Sequence, residues 1–206
     1  MKVIRIPAGV YAANCYIVYS ETTNDGIIVD PGGDADVILK VIDGNDLKIK
    51  HIILTHGHGD HIGGVVELLD VLKVPLLVHE DDVEMISDAK MNLSNIMPIG
   101  AVELNPNKVL KDGDIITFGD LEAKIIHTPG HTPGGICIKI GDNLITGDTL
   151  FQGSIGRTDL EGGDYDTIIK SIKENLLVFP DNTIVWPGHG VESTIGSEKR
   201  NNPFLR

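Results

Sequence analysis

The stretch Thr55-His56-Gly57-His58-Gly59-Asp60-His61 constrains this chain more than any other. Four side chains able to bind a cation, His56, His58, Asp60 and His61, fall within six residues. They come directly after the apolar run His51-Ile52-Ile53-Leu54, which reads as a buried strand. Imidazole nitrogens and carboxylate oxygens are the donors that zinc, iron and manganese take. Alternate residues of an extended segment point the same way, so His56 and His58 can grip one ion together. Asp60 and His61 lie where a helical apolar pattern begins and can face a second ion. A polar loop that is rich in histidine by chance is the competing reading, and this density of donors argues against it.

Composition narrows the class. The 206 residues suffice for one domain with a sizeable core, and one domain spanning 1–206 is expected. With aromatics at 4%, that core must be built mainly of Ile, Val and Leu. A formal charge of -13 disfavours nucleic acid and anionic membranes as partners, while a cationic centre in an acidic chain suits a small anionic substrate. Cys15 and Cys137 each sit in an apolar run and read as small buried hydrophobes. Residues 1–6 lack a signal-peptide core and no apolar stretch reaches membrane-spanning length, which points to the cytoplasm.

Along the chain, alternation predicts strands at 2–6, 14–19, 26–29 and 49–54, with a helix over 34–43 capped by Asp34. A helix follows at about 61–72, a strand at 76–78, and a further helix from Glu80-Asp81-Asp82, whose acids suit its first turn. Residues 90–107 hold no sustained period and read as a loop forming one wall of a substrate cleft. Strands are expected at 108–110, 114–118, 121–127, 135–140 and 143–146, then a helix over 164–177 and a last strand at 183–186. A short helix is expected from Val191, ending before Pro203.

Three more donors sit singly on turns at strand ends: His131 in Thr128-Pro129-Gly130-His131, Asp148 in Thr146-Gly147-Asp148-Thr149, and His189 in Trp186-Pro187-Gly188-His189. The series His-x-His-x-Asp-His, Gly-His, Gly-Asp and Pro-Gly-His, in that order, resembles the metallo-β-lactamase superfamily over nearly the whole chain. The resemblance implies an α+β fold, an αββα sandwich of two packed mixed sheets with helices on the outer faces. It also implies that His56, His58 and His131 hold one ion, that Asp60, His61 and His189 hold another, and that Asp148 bridges them. The remaining histidines, His51, His79 and His127, read as packed or surface residues, with His127 near enough to support the site from behind.

Two bridged divalent ions, zinc foremost with iron or manganese also compatible, would lower the pKa of a shared water and make hydroxide the nucleophile. Asp60 could steer protons as well as bind. The stretch Gly147-Asp148-Thr149-Leu150-Phe151-Gln152-Gly153-Ser154-Ile155-Gly156-Arg157-Thr158-Asp159-Leu160 looks like the glyoxalase II branch, which implies hydrolysis of hydroxyacylglutathione thioesters. Arg157 is then either an anchor for a substrate carboxylate or a partner of Asp159. Asp159 stands where glutathione-binding members carry tyrosine, and the sequence reads as a short form without their C-terminal helical domain. Persulfide dioxygenases, which use a single iron, look similar around Gly156-Arg157-Thr158-Asp159 and supply an oxidoreductase alternative. Flavodiiron-type oxidoreductases are disfavoured, because they carry glutamate where this chain has His58.

Overall fold

Strands whose apolar side chains alternate onto both faces must be covered twice, which dictates the number of layers. The computed structural model describes residues 1–206. Strands β1 (Lys2–Ala8), β2 (Ala13–Tyr19), β3 (Asp25–Val29), β4 (Lys48–Ile53), β5 (Leu76–His79) and β6 (Lys108–Leu110) form one sheet in that order. Its first two pairings are antiparallel and the next three parallel. Strands β7 (Ile115–Phe118), β8 (Leu121–His127), β9 (Ile136–Ile140), β10 (Asn143–Gly147), β13 (Ile184–Pro187) and β14 (Ser193–Thr194) form the second, in the order β14-β13-β10-β9-β8-β7. A small ribbon pairs β11 (Leu150–Phe151) with β12 (Ser154–Ile155).

The helices are α1 (Ala35–Gly44), α2 (Gly59–Ile62), α3 (Val65–Leu72), α4 (Val83–Ser87), α5 (Tyr165–Ser171) and α6 (Ile195–Asn201). Alternation sorts the core into three layers. Cys15, Ile17, Ile28 and Ile52 face α1 and α3 through Ile38, Ile42, Val65 and Leu68. From the opposite faces of the same strands, Tyr16, Val18, Ile27, Val29 and Ile53 meet Phe118, Ala123, Ile125, Ile138 and Ile145 of the second sheet. Beyond that sheet, Cys137, Leu144 and Val185 pack on Ile168, Ile172 and Ile195. The result is the expected αββα sandwich. No helix is long and apolar enough to cross a membrane.

The sheet directions place the candidate site. Because β8 and β10 each pair antiparallel with β9, and β10 pairs parallel with β13, the strands β8, β10 and β13 run the same way. Their C-terminal ends therefore open at one edge, where His131, Asp148 and His189 follow. The other sheet reaches the same edge: the Ile136 N–H donates to the Thr55 carbonyl at 2.8 Å, and the Asn14 N–H to the Gly188 carbonyl at 2.7 Å.

Several elements differ from the sequence expectation. The helix expected over 61–72 is broken into α2 and α3 at Gly63 and Gly64, where the chain presses on the loop after β3. The Gly64 N–H donates to the Pro31 carbonyl at 2.8 Å, and a Cβ on Gly63 would stand 2.6 Å from the Gly32 carbonyl oxygen. Asp34 precedes α1 without a side-chain cap; its carboxylate instead accepts the Gly9 N–H at 2.8 Å. The C-terminal helix begins at Ile195 rather than Val191, because Ser193–Thr194 first pairs with β13. The strands β11, β12 and β14 are only two residues long and leave no periodicity to read.

Gly32 packs so closely on α2 that a Cβ there would overlap the Asp60 carbonyl oxygen. Gly32→Ala is accordingly expected to cost at least ~2 kcal/mol. Thermal unfolding would read this as a Tm lower by about 5 °C or more, and an unchanged Tm would show that the approach is not a tight one.

Candidate metal centre

The seven sequence-predicted donors meet in one basin at the common strand edge. His56, His58 and His131 form one cluster and Asp60, His61 and His189 a second, each with its donor atoms within 4.8 Å of one another. Asp148 lies between them: Oδ1 is 3.4 Å from His61 Nε2, while Oδ2 is 3.6 Å from His131 Nε2 and 3.7 Å from His189 Nε2. Asp60 Oδ2 stands 3.2 Å from His189 Nε2. His56, His58, His61 and His131 are buried, whereas Asp60, Asp148 and His189 are partly open to the cleft.

The far side of each ring fixes which nitrogen carries a lone pair. His61 Nδ1 is 3.0 Å from Asp30 Oδ2, and a carboxylate oxygen accepts, so in the neutral ring Nδ1 carries the proton and Nε2 the lone pair. Thr55 Oγ1 donates to Asp30 Oδ2 at 2.5 Å, leaving its own lone pairs for the His56 Nδ1–H at 3.1 Å. Asp30 thereby sets the tautomer of two rings. His131 Nδ1 donates to the Arg157 carbonyl at 2.7 Å, which frees its Nε2. That atom faces His58 Nδ1 at 3.0 Å. His56 Nε2 and Asp148 Oδ1 are buried with no hydrogen-bond partner. Lone pairs that converge without donors to meet them fit a cation.

The electrostatics agree. Burial, then the charges of neighbouring imidazoles, push His56 well below its ordinary pKa and His58 down to about 4, so both are neutral donors at pH 7. Burial would also push His61 down, but Asp148 and Asp30 outweigh it and hold it well above the ordinary value. The field that favours a proton there favours a metal cation equally. For Asp148, burial is outweighed by His61, His131 and His189, and the carboxyl is held far below the usual range.

Several supporting residues escaped the sequence reading. Asp82 is fully buried and accepts the Gly57 N–H at 2.9 Å, the Thr132 hydroxyl at 2.9 Å and the Gly134 N–H at 2.6 Å. It clamps the His56–His58 turn to the His131 turn, yet in Glu80-Asp81-Asp82 nothing distinguishes it from its neighbours. Asp30, which reads as a strand end, was signalled only by an acid following an apolar run. Asn14 Nδ2 and Tyr16 Oη donate to the Pro187 carbonyl at 2.9 and 2.7 Å and steady the turn that carries His189. His51 stays within β4. His79 and His127 stack at 4.0 Å with planes 14° apart, beside Asp81 and outside the seven-donor basin. His127 Nε2 donates to the Pro133 carbonyl at 2.8 Å and so braces the His131 turn.

Arg157 lines the cleft, but its Nε and Nη2 donate to Asp159 Oδ1 and Oδ2 at 2.8 and 2.7 Å. The cleft, of about 710 Å³, is walled partly by Leu93, Ile96 and Met97, as expected for residues 90–107.

Known proteins resemble this chain in sequence and fold. The family model described as metallo-beta-lactamase superfamily matches residues 8–189. The chain belongs to that superfamily. It is 38% identical to a probable metallo-hydrolase, YqgX, of Bacillus subtilis, over 100% of this chain and 98% of the relative. It is 36% identical, with the same coverage, to the hydroxyacylglutathione hydrolase GloC of Haemophilus influenzae. Among solved structures, the BLEG-1 B3 metallo-beta-lactamase superposes with a TM-score of 0.94 at 36% identity, covering 99% of both chains. TTHA1623 in a di-iron-bound form gives 0.86 at 33%, over 98% of this chain and 100% of that one. ETHE1 from Myxococcus xanthus gives 0.82 at 27%, over 98% and 84%. Within the superfamily the two His/Asp clusters here suit a dinuclear divalent metal site.

Two outcomes follow from these contacts. Asp82→Asn removes one acceptor from the clamp and is expected to weaken ion binding at the His56, His58 and His131 cluster by about tenfold or more, measured by chelator competition. A histidine depressed in the folded state binds fewer protons than in the unfolded state, so stability falls as pH drops through the gap. For His58 the gap runs from the ordinary 6.5 down to about 4. His61, being raised, is fully stabilising below its unfolded value and does not offset this loss. The metal-free protein is therefore expected to lose roughly 2–4 kcal/mol across that window from His58, read from urea midpoints at each pH.

Proposed function

We propose that the protein is a metal-dependent hydrolase that cleaves a thioester, a reaction of the hydroxyacylglutathione hydrolase (glyoxalase II) type. The observation that carries this reading is the complete donor set, with Asp148 directed at both clusters at once. His56, His58 and His131 would hold one ion, Asp60, His61 and His189 the other, and Asp148 both. Zinc is the ion proposed, since hydrolysis needs no change of oxidation state. Bound there, two divalent ions supply Lewis acidity and a water acidified toward neutrality.

The chain's own residues do the rest. Water is the nucleophile in this reading, and neither thiol can serve in its place: both cysteines are fully buried, and burial pushes the Cys137 thiol up to about 12 and Cys15 higher still. Asp60 stands at the cleft beside His189. Burial would raise it, but the His189 hydrogen bond and His61 hold its carboxyl below the ordinary range, so it is ionised at neutral pH. Its Oδ2 can accept a hydrogen bond from the attacking water and relay the proton to the departing thiolate. Water adds to the carbonyl carbon, the C–S bond breaks, and a carboxylic acid and a thiol leave. The identity with GloC supports this reading.

A second reading, oxidation of a persulfide at a single iron, is favoured by the likeness to ETHE1. Metal content, hydrolysis of S-lactoylglutathione and oxygen uptake with glutathione persulfide, measured on one preparation, separate the two. The hydrolase reading expects two ions per chain, thioester cleavage abolished by chelator and restored by zinc, and a loss of more than ~100-fold in Asp148→Ala. One iron per chain with persulfide oxidation and no thioester cleavage would overturn it.

A further inference from the structure

The outer part of the cleft has a chemistry of its own. Apolar side chains from three segments converge there: Tyr11 from the β1–β2 turn, Ile96 and Met97 from the irregular segment, and Phe151 and Ile155 from the ribbon. Tyr11 and Ile96 remain 56% and 76% exposed, so the mouth of the cleft offers apolar surface that nothing in the chain covers. Arg157 is the one lysine or arginine that lines it. The Nε/Nη2 edge of the guanidinium is engaged by that carboxylate, fork to fork, which leaves an anionic substrate the Nη1 end and a charge already partly neutralised by Asp159.

We infer that the protein takes thioesters whose body beyond the scissile carbonyl is uncharged and apolar, and that Asp159 sets this preference by occupying Arg157. The inference rests on the thioester hydrolase reading. A substrate carried by a carboxylate-bearing thiol must displace Asp159 from Arg157 or share the guanidinium with it. An aliphatic acyl chain meets neither cost, and it removes Tyr11 and Ile96 from water as it binds. Because the Arg157–Asp159 pair is itself exposed, it tunes the choice by a moderate factor and does not bar anions outright.

The test compares zinc-loaded wild type and Asp159→Asn on two thioesters: uncharged hexanoyl-N-acetylcysteamine and anionic S-lactoylglutathione. Wild type is expected to favour the uncharged thioester by about tenfold in kcat/KM. Asp159→Asn is expected to move that ratio toward the anion by about fivefold, mainly through KM, with the shift shrinking as salt is raised. A wild-type preference for the anionic thioester, or a ratio unmoved in the variant, overturns the inference while thioester hydrolysis stands. If neither thioester is cleaved, the hydrolase reading falls and this inference with it.

Discussion

Five imidazoles and two carboxylates packed into one basin lose most of their water, and that loss can be met only if every ring is held with its lone pair turned inward. Asp30 does most of the holding. It fixes His61 directly and His56 through the Thr55 hydroxyl, so one buried carboxylate decides the tautomer of a ring in each cluster. It sits at the end of β3 beside β4, the strand that delivers the donor-rich turn. The architecture of the first sheet and the chemistry of the centre are therefore joined at a single residue.

The second sheet is tied in by a different device. Its three like-directed strands end at the same edge, and backbone hydrogen bonds from Ile136 to Thr55 and from Asn14 to Gly188 lock the two sheet ends together. Asp82 completes the junction by holding the turns of His58 and His131 on the same two oxygens. None of these groups is a candidate ligand. They explain why donors separated by more than a hundred residues arrive within a few ångströms of one another with their directions set.

The outer cleft obeys other rules. Near the donors, position is dictated by buried hydrogen bonds; further out, the cleft is lined by apolar side chains and one exposed ion pair.

Much of this was legible in the residues themselves. Alternation foretold most of the strands, and all seven candidate donors could be named, because histidine and aspartate on glycine-rich turns after apolar runs leave a local signature. The break at Gly63 and Gly64 was not legible, since helical spacing continues across it and only the press of the β3 loop interrupts the helix. Asp82 could not be told from Glu80 or Asp81, because what separates them is which one faces the distant Gly57 and Gly134 amides. Arg157 could be read either as an anchor or as the partner of Asp159, and the side chains form the pair. The sequence by itself thus determined the strands and the candidate donors, both of which rest on short-range pattern, and the sandwich followed from the family resemblance that those donors carry. Tertiary structure alone decided which carboxylates orient the donors and which charge is left for a substrate, because those depend on contacts between residues far apart in the chain.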